Sequence, residues 1–160
     1  MKFIADSMLG RLARWLRLLG YDTLYFSRIE DGLLVKTARE EGRTLLTRDT
    51  RLVKRRGVKN FLLLDENDTF DQLRTVITTF HLLPCSESGR LKQHSPSRCS
   101  LCNSILVSVP REQARAHVPD YVYRTSDGFK RCMKCGRFYW RGTHPEKWRK
   151  KLSEVLNSEC

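Results

Sequence analysis

The chain has 160 residues, of which 40% are hydrophobic and 30% are charged. This composition is typical of folded globular proteins and excludes wholesale disorder, and no apolar run approaches the roughly 18 residues of a membrane span. The N-terminal segment does not resemble a signal peptide either, because Asp6 and three arginines interrupt its apolar residues. We therefore expect an intracellular protein, cytoplasmic or nuclear, that is neither secreted nor bound to a membrane.

The formal net charge of +12 is distributed unevenly along the chain. Residues 1–80 carry 15 basic and 11 acidic side chains, net +4, whereas residues 81–160 carry 15 and 7, net +8. An electric field of this sign favours contact with nucleic acid through its phosphates. We expect a nucleic-acid partner, and a surface that is merely well solvated is the alternative.

The first eighty residues alternate between short apolar runs and segments with helical periodicity. The runs predict strands at Lys2–Ala5, Thr23–Phe26, Thr44–Thr47 and Phe61–Leu64. The periodic segments predict helices through Leu9–Leu19, from Asp31 to about Gly42, and through Phe70–Phe80. Strands that alternate with helices indicate an α/β fold with a parallel sheet covered on both faces.

The composition changes after residue 83. Residues 84–98 are rich in Ser, Pro and Gly and predict a linker between an N-terminal domain at 1–83 and a smaller domain at 99–150, with a tail at 151–160. The smaller domain has a β-like pattern, with strands predicted at Ile105–Val109, Tyr121–Tyr123 and Arg137–Trp140.

Four cysteines form two C-x-x-C pairs, Cys99 with Cys102 and Cys132 with Cys135. Two such turns can supply four thiolates to one tetrahedral Zn²⁺. The 29 residues between the pairs exceed the usual spacing of about 15–20, and the strands predicted there account for the excess. We expect structural zinc, because four thiolates leave no open coordination position. A redox dithiol or unpaired thiols are the alternatives.

Basic residues surround the second cysteine pair and alternate with aromatic residues, a pattern that suits phosphate contact and base stacking. The predicted nucleic-acid contacts here are Arg131, Lys134, Arg137 and Arg141. In the alternative interpretation, Phe138, Tyr139 and Trp140 form the small core of the zinc module.

Three aspartates lie at the ends of predicted elements. Asp6 follows the first strand, Asp49 follows the third strand, and Asp31 begins the second helix. Ligands of open parallel sheets bind at the carboxyl ends of the strands, so these carboxylates can converge there. Grouped carboxylates require a cation, and Mg²⁺ or Mn²⁺ suits oxygen ligands. Helix capping by Asp31 and Asp49 is the alternative.

Several arginines lie near these aspartates along the chain. Arg11, Arg14 and Arg17 share the side of the first helix that is opposite its leucines, and Arg48 and Arg51 flank Asp49. Arginine offers paired N–H donors to phosphate, so we predict that these five residues bind the nucleic acid. A solvated helix face and local ion pairs, for example with Asp31, are the alternatives.

Three segments together resemble the Mut-seven C-terminal RNase family: FIADSMLGRLARWLRLLGYD, EDGLLVKTAREEGRTLLTRDTRL, and a C-x-x-C ribbon that ends in CGRFYWRGTH. The resemblance spans about residues 1–148. It implies a PIN-like domain fused to a zinc ribbon, and a metal-dependent ribonuclease whose acids fall on Asp6, Asp31 and Asp49. Many PIN nucleases have a fourth acid between the first two, and here Glu30 and Asp22 are weak candidates, which favours one catalytic ion.

The sequence therefore predicts a metal-dependent ribonuclease, an endoribonuclease by resemblance, that hydrolyses RNA phosphodiester bonds with a carboxylate-bound Mg²⁺ or Mn²⁺ ion. The zinc ribbon would help to bind the RNA, structured or ribosomal RNA included. A non-catalytic adaptor that binds nucleic acid or ribosomes is the main alternative, and a redox protein is the third.

Overall fold

A computed structural model describes residues 1–82 and 97–140. The N-terminal part alternates four strands with three helices. The strands are β1 (Lys2–Ala5), β2 (Asp22–Tyr25), β3 (Thr44–Thr47) and β4 (Phe61–Leu63), and the helices are α1 (Gly10–Leu18), α2 (Asp31–Glu40) and α3 (Thr69–Thr79). Short 3₁₀ turns, Ser7–Leu9 and Leu52–Lys54, follow β1 and β3. The predicted order of strands and helices is confirmed.

All four strands are parallel and lie in the order β2-β1-β3-β4. Ala5, the last residue of β1, pairs with Leu46 of β3 and with Tyr25 of β2. The carboxyl ends of β1 and β3 are therefore side by side, and the chain leaves both strands at the same edge of the sheet. Asp6 and Asp49 follow these two ends.

Both faces of the sheet are buried, which explains why its strands lack apolar–polar alternation. Phe3 and Ala5 point towards a core built with α1 and α3, whereas Ile4 points towards a second core that includes Leu34 of α2. Successive side chains of a strand face opposite sides, so a strand covered on both sides must be apolar throughout.

The C-terminal part is a three-stranded antiparallel sheet with two short helices. Its strands are β5 (Leu106–Val109), β6 (Phe129–Cys132) and β7 (Phe138–Trp140) in the order β5-β6-β7, and its helices are α4 (Arg111–Ala114) and α5 (Asp120–Thr125). A small core of its own packs between the helices and β6 and β7, built from Ala114, Val118, Val122, Phe129 and Phe138. The prediction of an α/β fold followed by a small β-rich module is confirmed.

One predicted strand is wrong. Residues Tyr121–Tyr123 lie within α5, where Val122 is buried and Tyr121 is 68% exposed. Pro119 precedes the first turn and Asp120 lies in it, both of which favour a helix start. Three aromatic and β-branched residues are too few to separate a strand from a helical turn by periodicity. The neighbouring strand β6 was not predicted.

The first cysteine turn docks on α1 and β2 through Arg17. The Arg17 side chain is only 4% exposed. Its Nη1 donates to the carbonyl oxygens of Ser100 and Leu101 at 3.0 and 2.7 Å, and its Nε donates to the carbonyl of Thr23 at 2.8 Å. The prediction that Arg17 contacts nucleic acid is corrected here, because its guanidinium is buried between the two parts of the chain.

Asn103 completes this contact at the edge strand β2. Its Oδ1 accepts from the backbone N–H of Thr23 at 3.1 Å, and its Nδ2 donates to Oδ1 of Asp22 at 2.8 Å. The same carboxylate pairs with Arg43 at 2.7 Å and with Arg98 at 3.7 Å. Burial acts to raise the pKa of Asp22, but these cationic and amide donors outweigh it and lower the pKa below its usual value.

Of the predicted domain boundaries, residues 84–96 and everything beyond residue 140 lie outside the described residues. Ser97 and Arg98, predicted as the end of the linker, already belong to the ribbon: Leu106 donates its N–H to the Ser97 carbonyl at 2.9 Å, and Arg98 forms a β-bridge with Ile105. Within the described ranges, every helix is too short or too polar to cross a bilayer.

Candidate active site and metal centre

The hydroxyl of Thr47 connects Asp6 and Asp49. It donates to Oδ2 of Asp6 at 2.8 Å and accepts from the backbone N–H of Asp49 at 3.0 Å. Thr47 is 0% exposed, so water cannot replace either bond. The other oxygen of Asp6 accepts from the Ser7 hydroxyl at 3.0 Å. Two hydroxyl donors therefore orient the half-buried Asp6 carboxylate at the end of β1.

Asp49 has a structural role and a free oxygen. Its Oδ1 accepts from the backbone N–H groups of Arg51 and Leu52 at 2.7 and 3.3 Å, which closes the turn into the 3₁₀ helix. The capping role that was the alternative interpretation is thus present. Within residues 1–82 and 97–140, no hydrogen bond reaches Oδ2, so that oxygen is available to a ligand.

Asp31 is held differently. It lies in the first turn of α2, and its Oδ2 pairs with Nη2 of Arg55 at 2.8 Å, with both side chains about half exposed. The hydroxyl of Thr47 therefore binds the side chain of Asp6 and the backbone of Asp49, whereas Asp31 forms a separate ion pair at the surface. An exposed ion pair of this kind contributes only about 0–1 kcal/mol to stability, so a metal cation can displace Arg55 from Asp31.

The four cysteines predicted as zinc ligands come together. Their Sγ atoms all lie within 4.8 Å of one another, with 3.5 Å between Cys99 and Cys135 and 3.4 Å between Cys102 and Cys132. Four sulfurs at about 2.3 Å from one zinc ion would be about 3.8 Å apart in a tetrahedron. In the described parts of the chain this is the one compact group of three or more His, Cys, Asp or Glu side chains.

Both cysteine turns have the same local geometry. The residue after each pair has a positive φ, 65° at Asn103 and 74° at Gly136. Its N–H donates back to the carbonyl of the first cysteine of the pair, at 3.0 Å for Cys99 and 2.8 Å for Cys132. Glycine and asparagine tolerate this backbone conformation, and the turn directs both sulfurs of a pair to the same side.

The neighbouring groups set the charge state of the thiols. Burial acts to raise the pKa of Cys99, but hydrogen bonds, first from the Tyr139 hydroxyl, lower it. Burial also acts to raise the pKa of Cys102, but hydrogen bonds, first from the Ser104 side chain and backbone, outweigh it and lower the pKa to about 6. At Cys135 the Arg137 backbone lowers the pKa, but burial and the other thiols outweigh it and raise the pKa to about 12. The raised pKa of Cys135 means that this thiol ionises readily only with a cation beside it.

The comparison with known families is decisive. The family described as Mut7-C RNAse domain matches residues 1–152, nearly the whole chain. The chain belongs to the Mut7-C RNase family. No curated protein and no solved structure matches it. The resemblance stated from the three sequence segments is thereby confirmed, and membership of the Mut7-C family indicates a ribonuclease-type function with RNA as substrate.

In this Mut7-C chain, three of the five predicted substrate arginines of the N-terminal part meet in one groove. Arg11, Arg14 and Arg48 line a groove of about 490 Å³ that begins at Ser7, the residue after Asp6. Arg51 is exposed beside Asp49, and Arg17 is buried against the ribbon. The ion pair of Asp31 is made by Arg55, so it involves neither Arg48 nor Arg51.

The basic residues of the ribbon are divided. Arg131 lies over the ring of Phe138, with its Cζ 5.3 Å from the ring centroid, and Phe138 is buried in the small core. Lys134 and Arg137 are exposed, as a phosphate contact requires, and Arg141 lies outside the described residues. The aromatic core that was the alternative interpretation is therefore present at Phe138.

The two weak candidates for a fourth acid lie at opposite ends of the parallel strands. Asp22 begins β2 and pairs in register with Lys2, so it lies at the amino ends of the strands, away from Asp6. Its carboxylate is bound by Arg43 and Asn103. Glu30 instead lines a second groove, of about 410 Å³, together with Ser7 and Arg28. The position of Asp22 thus excludes it as a fourth acid of the candidate site, whereas Glu30 lies near that site.

The sequence interpretation missed two residues of the site. Thr47 was taken only as the end of a strand, although a polar side chain that closes a fully buried strand and precedes an aspartate by two positions is a usable signal. Asn67 accepts from Nη2 of Arg48 at 2.6 Å across 19 residues, and no local pattern predicts that contact.

Proposed function

We propose that this protein is a metal-dependent endoribonuclease. It would hydrolyse RNA phosphodiester bonds at a site formed by Asp6 and Asp49. The observation that carries the proposal is the position of Asp6 and Asp49 at the adjacent carboxyl ends of β1 and β3, where the Thr47 hydroxyl binds the Asp6 carboxylate and the backbone N–H of Asp49. Family membership supports the same assignment.

The donor atoms fit a hard divalent cation. Asp6 and Asp49 offer carboxylate oxygens, and Mg²⁺ or Mn²⁺ typically uses one or two protein carboxylates plus waters and substrate phosphate oxygens. When bound, such a cation supplies the Lewis acidity that phosphodiester hydrolysis requires. Asp31 would join as a third ligand by exchanging Arg55 for the cation. This set favours one ion, since Asp22 is engaged elsewhere.

The remaining residues position the reactants. Thr47 and Ser7 hold the Asp6 carboxylate in one orientation, so that no reorganisation is needed when RNA arrives. Exposed arginines near the site, together with Lys134, Arg137 and Arg141 of the ribbon, neutralise RNA phosphates. Arg131 would contribute less, because it lies over Phe138.

We assign structural Zn²⁺ to the four cysteines, because the sulfur spacing fits a tetrahedral ion and four thiolates complete its coordination. The ion would fold the ribbon and take no part in hydrolysis. Reduced thiolate ligands suit an intracellular compartment, cytoplasmic or nuclear.

The test is cleavage of labelled single-stranded and structured RNA by Asp6→Asn and Asp49→Asn proteins in Mn²⁺ and after its removal. Asparagine preserves the turn that Asp49 closes but removes the anionic oxygen. We expect cleavage to fall by about 100-fold or more in both variants and to remain unchanged in Asp127→Asn, an exposed aspartate of the ribbon before β6. Wild-type cleavage rates in both variants would contradict the proposal.

One observation favours the alternative of a non-catalytic adaptor that binds nucleic acid or ribosomes. Asp49 already closes a turn and Asp31 already pairs with Arg55, so both have structural roles without catalysis. This alternative requires RNA binding that weakens steeply with salt, together with no Mn²⁺-dependent cleavage by any form of the protein.

A further inference from the structure

The groove beside Asp6 carries an unbalanced positive charge. Among the described residues that line it, Arg11, Arg14 and Arg48 are the charged ones, and no Asp or Glu is present. None of the ion pairs within 4.0 Å in residues 1–82 and 97–140 involves these arginines. Three unpaired guanidinium groups in one recess form a binding site for a polyanion.

Two acids at the start of α3 are directed elsewhere, and Glu66 before them accepts from the Thr75 hydroxyl. Asp68 accepts from the backbone N–H groups of Phe70 and Asp71 at the start of α3, and Asp71 itself lies 3.9 Å from Arg74. The positive charge of the groove is thus not compensated by the helix that forms its wall. It remains available to a ligand.

Arg48 is held in the groove at a cost in stability. Its Nη2 donates to Asn67, but its Nε is shielded from solvent without an acceptor in the described parts of the chain. A buried donor without a partner costs about 1–3 kcal/mol. The bond to Asn67 engages only one of the five N–H donors of the guanidinium, so its other terminal donors remain for an anion in the groove.

The shape of the groove favours a single strand. Tyr25 forms one wall: its hydroxyl donates to the Ser7 carbonyl at 3.1 Å, and its ring packs so closely on Gly10 that a Cβ there would lie 2.7 Å from it. Arg11 and Arg14 are three positions apart on α1, about 5–6 Å between Cβ atoms. A single strand can place successive phosphates along them in a recess of about 490 Å³, whereas a duplex presents its phosphates on a broad convex surface.

The two sides of the candidate site differ in charge. Ser7 lines both grooves, and the second has one cation, Arg28, and one carboxylate, Glu30. A strand that crosses Asp6 would therefore meet three unpaired arginines on one side and a neutral surface on the other. Affinity for the substrate is concentrated on the first side.

We propose that the groove between α1 and the start of α3 binds the phosphodiester backbone of single-stranded RNA on one side of the cleaved bond through Arg11, Arg14 and Arg48. This assignment rests on the proposed ribonuclease function for its location relative to the cleaved bond. Binding itself does not require catalysis, so the two ideas fail separately.

The experiment uses the full chain with Asp6→Asn, in buffer without Mg²⁺ or Mn²⁺, and measures fluorescence anisotropy of a labelled single-stranded RNA 12-mer across a salt series. We expect Arg14→Gln and Arg48→Gln each to weaken binding about three- to tenfold and to reduce the salt slope by about 0.7. Arg39→Gln, an exposed arginine in the last turn of α2, is the matched control and should leave both unchanged.

Two results would overturn the assignment. One is unchanged affinity and salt slope in the triple Arg11, Arg14 and Arg48 to Gln variant, with folding verified by thermal unfolding. The other is equal affinity for a duplex of the same length, which would remove the preference for a single strand. Cleavage that persists in Asp6→Asn with Mn²⁺ would contradict the proposed catalytic role of Asp6 and leave the binding result intact.

Discussion

At the scale of single residues, Thr47 shows how one buried hydroxyl sets the geometry of two carboxyl-bearing residues. It orients the Asp6 side chain and restrains the backbone at Asp49, which come from neighbouring strand ends. A side chain that is 0% exposed cannot exchange these bonds for water. Thr47 is therefore a positioning residue, and its hydroxyl is separable from its volume by substitution.

We predict that Thr47→Val lowers Mn²⁺-dependent RNA cleavage at least about tenfold and costs about 1–3 kcal/mol in unfolding free energy, because Asp6 and the Asp49 amide both lose a partner. Thr47→Ser keeps the hydroxyl and should restore most of the activity. Cleavage assays over a Mn²⁺ titration, with urea unfolding in parallel, measure both effects. Activity in Thr47→Ser as low as in Thr47→Val would show that packing matters and the hydroxyl does not.

At the scale of elements, helix α1 has two functions that its sequence periodicity conceals. Arg14 and Arg17 are one turn apart, yet Arg14 is exposed in a groove and Arg17 is 4% exposed beneath the first cysteine turn. Arg17 donates to three backbone carbonyls, which ties the ribbon to α1 and β2. The same residue type therefore has a binding position and a structural position in one helix.

We expect Arg17→Ala to lower the free energy of unfolding by about 2–4 kcal/mol, because it removes a buried side chain and its hydrogen bonds to one buried and two partly buried carbonyls. Arg14→Ala should change it by less than about 0.5 kcal/mol while weakening RNA binding. Chemical denaturation and anisotropy titrations distinguish the two. If Arg17→Ala and Arg14→Ala lowered the free energy of unfolding by the same amount, the buried contacts of Arg17 would add no stability beyond that of an exposed arginine.

At the scale of the whole molecule, the four-cysteine cluster and the α/β part share an interface. Two of the three carbonyls that accept from Arg17 belong to the two residues between Cys99 and Cys102. Asn103, which follows Cys102, binds Thr23 and Asp22. The turn that contributes two sulfurs to the cysteine cluster is thus the same turn that docks on β2. Loss of the ion should be felt beyond the ribbon.

We predict that zinc removal lowers the melting temperature of the α/β part by about 5–10 °C, since the docked turn loses its fixed geometry. Trp15 packs against the core of that part, so its fluorescence in a Trp140→Phe, Trp148→Phe protein reports on it. Readdition of Zn²⁺ should restore the transition. An unchanged Trp15 transition after verified metal release would show that the two parts are energetically independent.

Much of the architecture follows from local sequence patterns. Apolar runs and helical periodicity predicted the order of β1 to β4 and α1 to α3 because burial on both faces leaves a strong signal. Cys99, Cys102, Cys132 and Cys135 could be paired by spacing alone. Patterns failed at Tyr121–Tyr123, where three residues are too few to show a period, and at β6, whose Lys130 and Arg131 separate its two buried residues.

The candidate site divides in the same way. The placement of Asp6 and Asp49 at one edge could be inferred from parallel topology, because the carboxyl ends of such strands coincide. The bond through Thr47, the Asn67 contact of Arg48 and the burial of Arg17 join residues between 19 and 84 positions apart. Such contacts depend on how elements pack, and a side chain's neighbours across the fold leave no trace in its own stretch of sequence. Folding in three dimensions therefore decided which of the arginines can meet RNA.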